Sequence, residues 1–356
     1  MTEPPAAAGQ ELQALRLLLA RLGVNPEQLL SQAPQPVALP TFDEYIARVS
    51  VAVPEGSRRL YTTSWRTIST VWGSRDLSEP TPLEIKQLAE RVKRDAVQRR
   101  NSRGGRSAAE HFISAIRCLY QHAEADHLIK PADNPAIRVA KPRRLASTRR
   151  ALPDQRVTEI IQTAATTGND PDLDALILRL HLETACRRGG ALDLRRAYLD
   201  PSQCLIQLHE KGETVRWQPV SPTLMRNLLE HFEERGGHEP QDRILRNRNT
   251  QPITRRRYDY LWQRLGKHLP WVAAQQISIH WIRHTTLTWV ERRFGYAVAR
   301  AYAGHNSGRD TGVTATYVRA ELQEVAQALA ALTGEPHPAA PLPDPTVTAG
   351  SPAQWA

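Results

Sequence analysis

Apolar residues in the first part of the chain recur at helical spacing. Leucines within residues 10–23 fall on one face of a short amphipathic helix, and a proline-containing linker follows it. Pro82 after Thr81 is typical of a helix start, because proline lacks the amide hydrogen that the first helical turn leaves unbonded. We therefore predict an N-terminal helical extension over residues 1–36 and a helical domain over 37–138. The helices expected in that domain are 41–50, 57–72, 82–99 and 106–126.

The second half combines helical spacing with one short alternating stretch. Residues 203–208 alternate apolar and polar side chains, and a turn at 211–213 separates them from a similar run, which predicts a β-hairpin. Asp170 before Pro171 predicts a capped helix start. Further helices are expected to about residue 332. The fold class predicted is mainly α with a small β-hairpin.

Domain boundaries follow from changes in composition. Residues 139–152 are basic and marked by prolines, which predicts an extended linker. Residues 153–333 then form a second, mixed α+β domain. The Pro-, Ala- and Thr-rich segment 334–356 is predicted to be disordered.

Charge favours a polyanionic partner without deciding the matter. The net charge is +10 and the isoelectric point about 9.8, as expected of a protein that binds nucleic acid. A basic surface that serves solubility, or a coding bias towards arginine, explains the same numbers. Arginine does outnumber lysine greatly, and Lys211 is the sole lysine between Lys141 and Lys267.

The cysteine pattern and the N-terminus bear on location. Cys118, Cys186 and Cys204 are odd in number and show no C-x-x-C spacing, which argues against a disulfide framework or a structural zinc site. The sequence shows neither a signal-peptide pattern nor an apolar run long enough to span a bilayer. We expect a soluble, cytoplasmic protein that does not contact membranes.

Six residues of the second half have the chemistry needed to hold and cut a phosphodiester. Two guanidinium groups can bind a phosphate bidentately, a lysine and two histidines can move protons, and a late tyrosine can act as a covalent nucleophile. The candidates, in chain order, are Arg187, Lys211, His280, Arg283, His305 and Tyr317.

The order and neighbours of these residues resemble the tyrosine recombinase (phage integrase) family. Members carry an arginine in a Thr-Gly-x-Arg turn, a lysine in a Gly-Lys-Gly hairpin, a His-x-x-Arg helix, a Gly-His pair and a late tyrosine. The matching segments here are Thr184-Ala-Cys-Arg187, Glu210-Lys-Gly212, His280-Trp-Ile-Arg283, Gly304-His305 and Thr314-Ala-Thr-Tyr317. The resemblance spans about residues 150–332.

The first motif departs from the family pattern twice, and the hairpin departs once. Ala185 stands where the family has glycine, and Gly190 stands where it has an acidic residue. Glu210 occupies a position that is often glycine. Orientation of the first arginine by a carboxylate is therefore in question.

The resemblance implies a role for each candidate. Tyr317 would attack the scissile phosphate, and Lys211 would protonate the leaving 5′ oxygen. The two arginines would bind the non-bridging oxygens. His280 would hydrogen-bond the phosphate or help to deprotonate the tyrosine, and His305 would hydrogen-bond the phosphate. No cofactor and no metal are expected.

Several neighbours compete for these roles. Arg188 adjoins the first arginine, and Tyr296 and Tyr302 precede the Gly-His pair that the nucleophile should follow. His284 lies four residues after His280, but Trp281 stands where a zinc protease has glutamate, so His284 is interpreted as a core or helix-supporting residue.

Clustered basic residues outside the catalytic set are candidate phosphate contacts, although a solvated helix end or linker has the same composition. They are Arg99, Arg100, Arg103, Arg106, Lys141, Arg143 and Arg144.

Taken with the resemblance, these features predict a site-specific DNA recombinase. A helical core-binding (SAM-like) domain and the catalytic domain would close as a clamp on double-stranded DNA. Four protomers would act on two sites, with monomers or dimers free in solution, in integration or excision of a mobile element, phage or plasmid. A catalytically silent DNA-binding regulator and a type IB topoisomerase are the alternatives. The apolar stripe Leu322, Val325 and Leu329 favours a recombinase, because it predicts a C-terminal helix that docks on a neighbouring protomer.

Overall fold

A computed structural model describes residues 13, 17–21, 39–97, 104–143, 150–210, 214–304 and 322–340. The chain divides into two compact units, Met1–Leu145 and Ala146–Ala356. The division falls within the segment 139–152 that the sequence marks as a linker. Lys211, His305, Tyr317, Arg99, Arg100, Arg103 and Arg144 lie outside the described residues.

The first unit is helical, and its helices begin where the sequence predicts. They are α1 (Phe42–Ala52), α2 (Glu55–Trp72), α3 (Pro82–Asp95) and α4 (Arg106–Ala125), followed by 3-10 turns at Pro131–Asp133 and Pro135–Arg138. Thr81 caps α3 in a capping box: its hydroxyl accepts from the amide of Glu84, whose carboxylate accepts from the amide of Thr81. The predicted cap is confirmed.

The core of the first unit forms where α4 packs against α1, α2 and α3. Phe42 lies 5.8 Å from the ring centre of Trp72 and 6.2 Å from that of Tyr120, and all three side chains are buried. The Tyr120 hydroxyl donates to the carbonyl of Leu77, so its polar end is satisfied inside the core.

The second unit packs helices around a small antiparallel sheet. Its helices are α5 (Asp154–Thr166), α6 (Pro171–Thr184), α7 (Arg188–Asp193), α8 (Pro222–Glu234), α9 (Arg255–His268), α10 (Pro270–Gln275), α11 (Ile279–Tyr302) and α12 (Leu322–Thr333). Its strands are β1 (Leu199–Asp200), β2 (Leu205–Glu210) and β3 (Thr214–Pro219), in the order β1-β2-β3. The fold class predicted from the sequence, mainly α with a small hairpin, is confirmed.

The hairpin register fixes where the segment 211–213 emerges. Glu210 pairs with Thr214 and Leu205 with Pro219, so β2 and β3 are in register along their whole length. Ile206 and Leu208 are fully buried, because alternate side chains of β2 face the core. The strand end at Glu210 is thereby held against α7, which packs on β2.

Helix α6 is buried on almost every side, and its one internal charge is neutralised. Asp174 is fully buried and accepts from Arg257 at 2.8 Å and from Arg264 at 2.7 Å. Asp170, expected to cap α6, instead bonds Arg235 at 2.9 and 3.1 Å. That part of the capping prediction was wrong, because a guanidinium offers the carboxylate two charge-assisted bonds.

The C-terminal helix docks on its own unit, contrary to the prediction from its apolar stripe. Helix α12 contacts α11, β3 and α6, and Val325, Leu329 and Leu332 are buried there. Leu322 is 37% exposed. The stripe is thus covered within the chain, and it does not require a neighbouring protomer.

The prediction of disorder from residue 334 was wrong for residues 335–340. Glu335 accepts from Arg179 at 2.8 Å and from the amide of Thr223 at 3.0 Å. His337 is buried, and its Nε2 donates to the carbonyl of Cys204. A low-complexity composition did not reveal these few polar contacts. Residues 341–356 lie outside the described part of the chain.

Among the described helices, none combines the length and the apolar character needed to cross a membrane.

Candidate active site

A buried histidine holds the turn that follows α6. His181 donates from Nδ1 to the carbonyl of Cys186 at 3.1 Å and accepts at Nε2 from the hydroxyl of Tyr258 at 2.9 Å. Complete burial lowers the pKa of His181 to about 3, so the ring is neutral at physiological pH. Ala185 adopts a left-handed conformation with φ 47°, which reverses the chain there. The turn thus delivers the next side chain, Arg187, towards β2.

Arg187 is fixed by the carboxylate at the end of β2. Its amide donates to Glu210 Oε1 at 2.6 Å, and its Nη1 donates to Oε2 at 2.7 Å. The Glu210 side chain is fully buried, whereas that of Arg187 is 33% exposed. One face of the guanidinium is therefore anchored while part of it remains accessible to a ligand.

Arg283 reaches the same place from α11. It donates from Nη1 to the carbonyl of Ala185 and from Nη2 to that of Ala303, the latter at 2.8 Å. Burial and then the charge of Arg187 lower the pKa of Arg283 to about 10, which leaves it protonated at neutral pH. The predicted pair Arg187 and Arg283 is thus brought together, although 96 positions separate them in the sequence.

His280 lies one turn before Arg283 on α11, as the i, i+3 spacing predicts, and its side chain is exposed. Helix α11 is interrupted at Gly295, which has φ 82° and ψ 172°, a conformation open to glycine. Arg283 bonds the carbonyl of Ala303 beyond this break, so it ties the two halves of α11 together.

Sequence reasoning missed a third arginine, Arg216 on β3. Its Nε lies 3.7 Å from Glu210 Oε2, and its Nη2 donates to the carbonyl of Thr184. Burial lowers the pKa of Arg216, which the negative charge of Glu210 partly offsets. A Cβ at position 304 would overlap the Arg216 side chain, so Gly304 is required for this close approach. Its position in the alternating strand beside Trp217 was the available signal.

The tyrosines that compete with Tyr317 differ sharply in accessibility. Tyr302 is fully buried and donates its hydroxyl to the carbonyl of Glu183, and burial raises its pKa well above 10. It is a structural residue. Tyr296 is 61% exposed and lies next to the break at Gly295, with its hydroxyl 3.3 Å from Arg300 Nη1.

Comparisons with known proteins agree with this geometry. Residues 150–324 match the model of the phage integrase family. The tyrosine recombinase XerC of Pseudomonas entomophila (strain L48) is 27% identical over 270 residues, which cover 72% of this chain and 82% of XerC. The chain belongs to the tyrosine recombinase family.

Solved structures share the fold. A lambda integrase tetramer bound to a Holliday junction superposes with a TM-score of 0.59 at 14% identity, over 87% of this chain and 90% of that one. The Tn1549 transposon integrase in complex with circular intermediate DNA gives 0.60 at 15% identity, over 79% and 95%. The fold class predicted from the sequence is that of tyrosine recombinases.

Within this tyrosine recombinase, Arg187 and Arg188 face different partners. Arg188 begins α7, and its Nη1 lies 4.0 Å from Asp259, whose side chain is 75% exposed. Arg187 alone of the two bonds Glu210. His284 is exposed on α11 with Nδ1 3.3 Å from the hydroxyl of Thr288, so it supports the helix surface and is not part of the core.

The described members of the predicted DNA-contacting set lie on the first unit. Arg106 is exposed at the start of α4, after Gly105, where a Cβ would overlap the backbone carbonyl of Lys93. Lys141 and Arg143 are exposed beyond the last 3-10 turn. A groove of about 520 Å³ runs between α3, α4 and residues 138–142. Its charged lining residues are Lys86, Glu90, Lys93, Arg106 and Arg138.

Proposed function

We propose that this tyrosine recombinase breaks and rejoins double-stranded DNA at specific sites through a 3′-phosphotyrosine intermediate. The observation that carries the proposal is the meeting of Arg187 and Arg283 beside Glu210. Their positive charges, one partly accessible and one fixed to backbone carbonyls, suit the negative charge of a pentacoordinate phosphoryl group. The chain continues from this place into Lys211 on one side and into His305 on the other.

In the proposed reaction the Tyr317 oxygen attacks phosphorus and displaces the 5′ oxygen. His280 or His305 assists removal of the phenolic proton, and Lys211 gives a proton to the leaving 5′ oxygen, which departs as a hydroxyl group. The phosphodiester energy is kept in the phosphotyrosine bond. Attack by a 5′-hydroxyl reverses these steps, so rejoining needs no nucleotide and no metal.

The nucleophile is tested by replacing Tyr317 with phenylalanine and Tyr296 with phenylalanine as a matched control. On a nicked suicide substrate, the intact chain and the Tyr296→Phe variant should form a denaturant-resistant protein–DNA adduct. The Tyr317→Phe variant should bind the same DNA without forming it. An adduct that persists in Tyr317→Phe and disappears in Tyr296→Phe would transfer the role to the exposed tyrosine on α11.

The arginine assignment is tested by comparing neighbours on the same turn. Arg187→Ala should slow adduct formation by about two orders of magnitude or more, since it removes a fixed charge at the transition state. Arg188→Ala should change the rate far less, because its partner is the exposed Asp259. Equal losses in two folded proteins would contradict the placement of Arg187 in the site.

The role of Lys211 is tested with a substrate whose 5′ bridging oxygen is sulfur. A thiolate leaves without protonation, so this substrate should restore cleavage to Lys211→Ala but not to Arg187→Ala. Failure to restore it would assign Lys211 to phosphate binding instead.

For the biological reaction we propose integration or excision of a mobile element by four protomers on two sites. The fold shared with lambda integrase, whose tetramer is known on a Holliday junction, supports this. A monomeric type IB topoisomerase is the second candidate, because α12 covers its apolar face within its own chain. Relaxation of supercoiled plasmid DNA without recombination between two sites would favour the topoisomerase.

A further inference from the structure

The first family motif lacks its carboxylate, yet Arg187 is held by one. Position 190, one helical turn after Arg187, is acidic in the family pattern and is glycine here. A buried carboxylate nevertheless bonds both the backbone and the side chain of Arg187, and it belongs to Glu210 on β2.

Positions 190 and 210 share one space. A Cβ built on Gly190 would lie 3.2 Å from Cγ and 3.5 Å from Oε1 of Glu210. Gly190 is itself buried on α7, and α7 packs directly on β2. The room left by the absent side chain on the helix is therefore filled by the glutamate from the strand.

The charges around Glu210 show what this carboxylate does. Arg187 bonds it at 2.7 Å, and Arg216 Nε lies 3.7 Å from the same oxygen. The charge of Arg187 disfavours the charged form of Arg283, and the charge of Glu210 opposes that effect. One buried anion thus holds Arg187 in place and offsets the repulsion among three guanidinium groups.

We propose that Glu210 is a positioning residue for the cleavage reaction, which takes over from the hairpin strand the part played by the acidic residue missing at position 190. It acts through Arg187 and does not touch the phosphate. Because Glu210 also precedes Lys211, a single strand end sets the position of the first arginine and leads into the proposed general acid. The inference rests on the proposed function.

The test moves the carboxylate back to the helix. Glu210→Gln should slow single-turnover adduct formation by about tenfold to a hundredfold, the range expected for losing a hydrogen bond to a charged group, while DNA affinity stays within about twofold. The relocated variant, Gly190→Glu with Glu210→Gly, should recover about tenfold over its uncharged match, Gly190→Gln with Glu210→Gly. A merely structural role for Glu210 predicts no difference between these two double variants.

Two outcomes overturn the inference while leaving the proposed function intact. These are an unimpaired Glu210→Gln variant, or equal rates for the charged and uncharged double variants, in proteins that unfold at similar temperatures. A third result separates the two proposals. If the intact chain forms no adduct, the proposed function fails, and the contact is then judged from unfolding of the intact chain, Arg187→Ala, Glu210→Gln and the combination. The combined loss of stability should be smaller than the sum of the single losses; additive losses would refute the positioning role.

Discussion

The buried ring of His181 should make the second unit sensitive to mild acid. In the folded chain burial lowers the pKa of His181 to about 3, whereas an unfolded chain leaves it near 6.5. The unfolded state therefore binds a proton more readily as the pH falls. The stabilising contribution is present above pH 6.5 and is lost progressively between pH 6.5 and about pH 3.

The size of the effect follows from these two values. Between pH 7 and pH 5, protonation of the unfolded form should cost about 2 kcal/mol in the free energy of unfolding. His231 is also buried, and burial lowers its pKa to about 4, so it adds a loss of similar size. Since His181 holds the carbonyl of Cys186, acid should first loosen the turn that carries Arg187.

Urea unfolding of the full chain at pH 7 and pH 5 measures this loss. His181→Gln should be less stable at pH 7, but its stability should fall about 2 kcal/mol less between the two pH values than that of the intact chain. Tyr258→Phe is the control, because it removes the partner of the ring and keeps the imidazole buried. It should keep the full pH dependence. Parallel losses in the intact chain and His181→Gln would refute the reasoning.

Three further predictions concern packing, buried charge and capping, each measured by denaturant unfolding. Leu329→Ala should destabilise the second unit by about 2–5 kcal/mol, because the side chain is fully buried beneath α12, whereas the half-exposed Leu322 should tolerate alanine at little cost; equal losses would contradict the docking of α12 on its own unit. Asp174→Asn should cost about 3–5 kcal/mol by leaving two buried guanidinium groups without their anion, while Asp172→Asn on the exposed side of the same helix should change little; a stable Asp174→Asn protein would refute the assigned pairing. Thr81→Ala should cost about 1 kcal/mol through loss of the α3 cap, and Thr81→Ser should restore most of it; no loss in Thr81→Ala would mean that the capping box adds nothing.

Local signals in the sequence predicted the elements well. Thr81-Pro82 and the alternation before residue 211 act within a few residues, and the structure confirms the helix start and the hairpin that they predict. Spacing also placed His280 and Arg283 on one helix. Such features depend on neighbours in the chain, which the sequence displays directly.

Features that depend on distant partners were predicted less well. The apolar stripe of α12 correctly indicated a buried face but could not show which surface covers it. Glu210 looked like a departure from a glycine-rich hairpin, since its meaning depends on the absence of a side chain at Gly190, twenty residues earlier. Arg216 looked like an ordinary polar residue of a strand, and its role emerges from where β3 ends up.

The arrangement of Arg187, Arg216 and Arg283 around Glu210 links folding to the ions in solution. Three cationic groups share one buried carboxylate, so like charges oppose the folded form wherever solvent screening is weak. An anion that binds between Arg187 and Arg283 and ignores the unfolded chain raises the free energy of unfolding with its concentration. Sulfate or phosphate in a storage buffer therefore acts as a stand-in for the DNA backbone, and the protein's shelf life depends on which salt accompanies it.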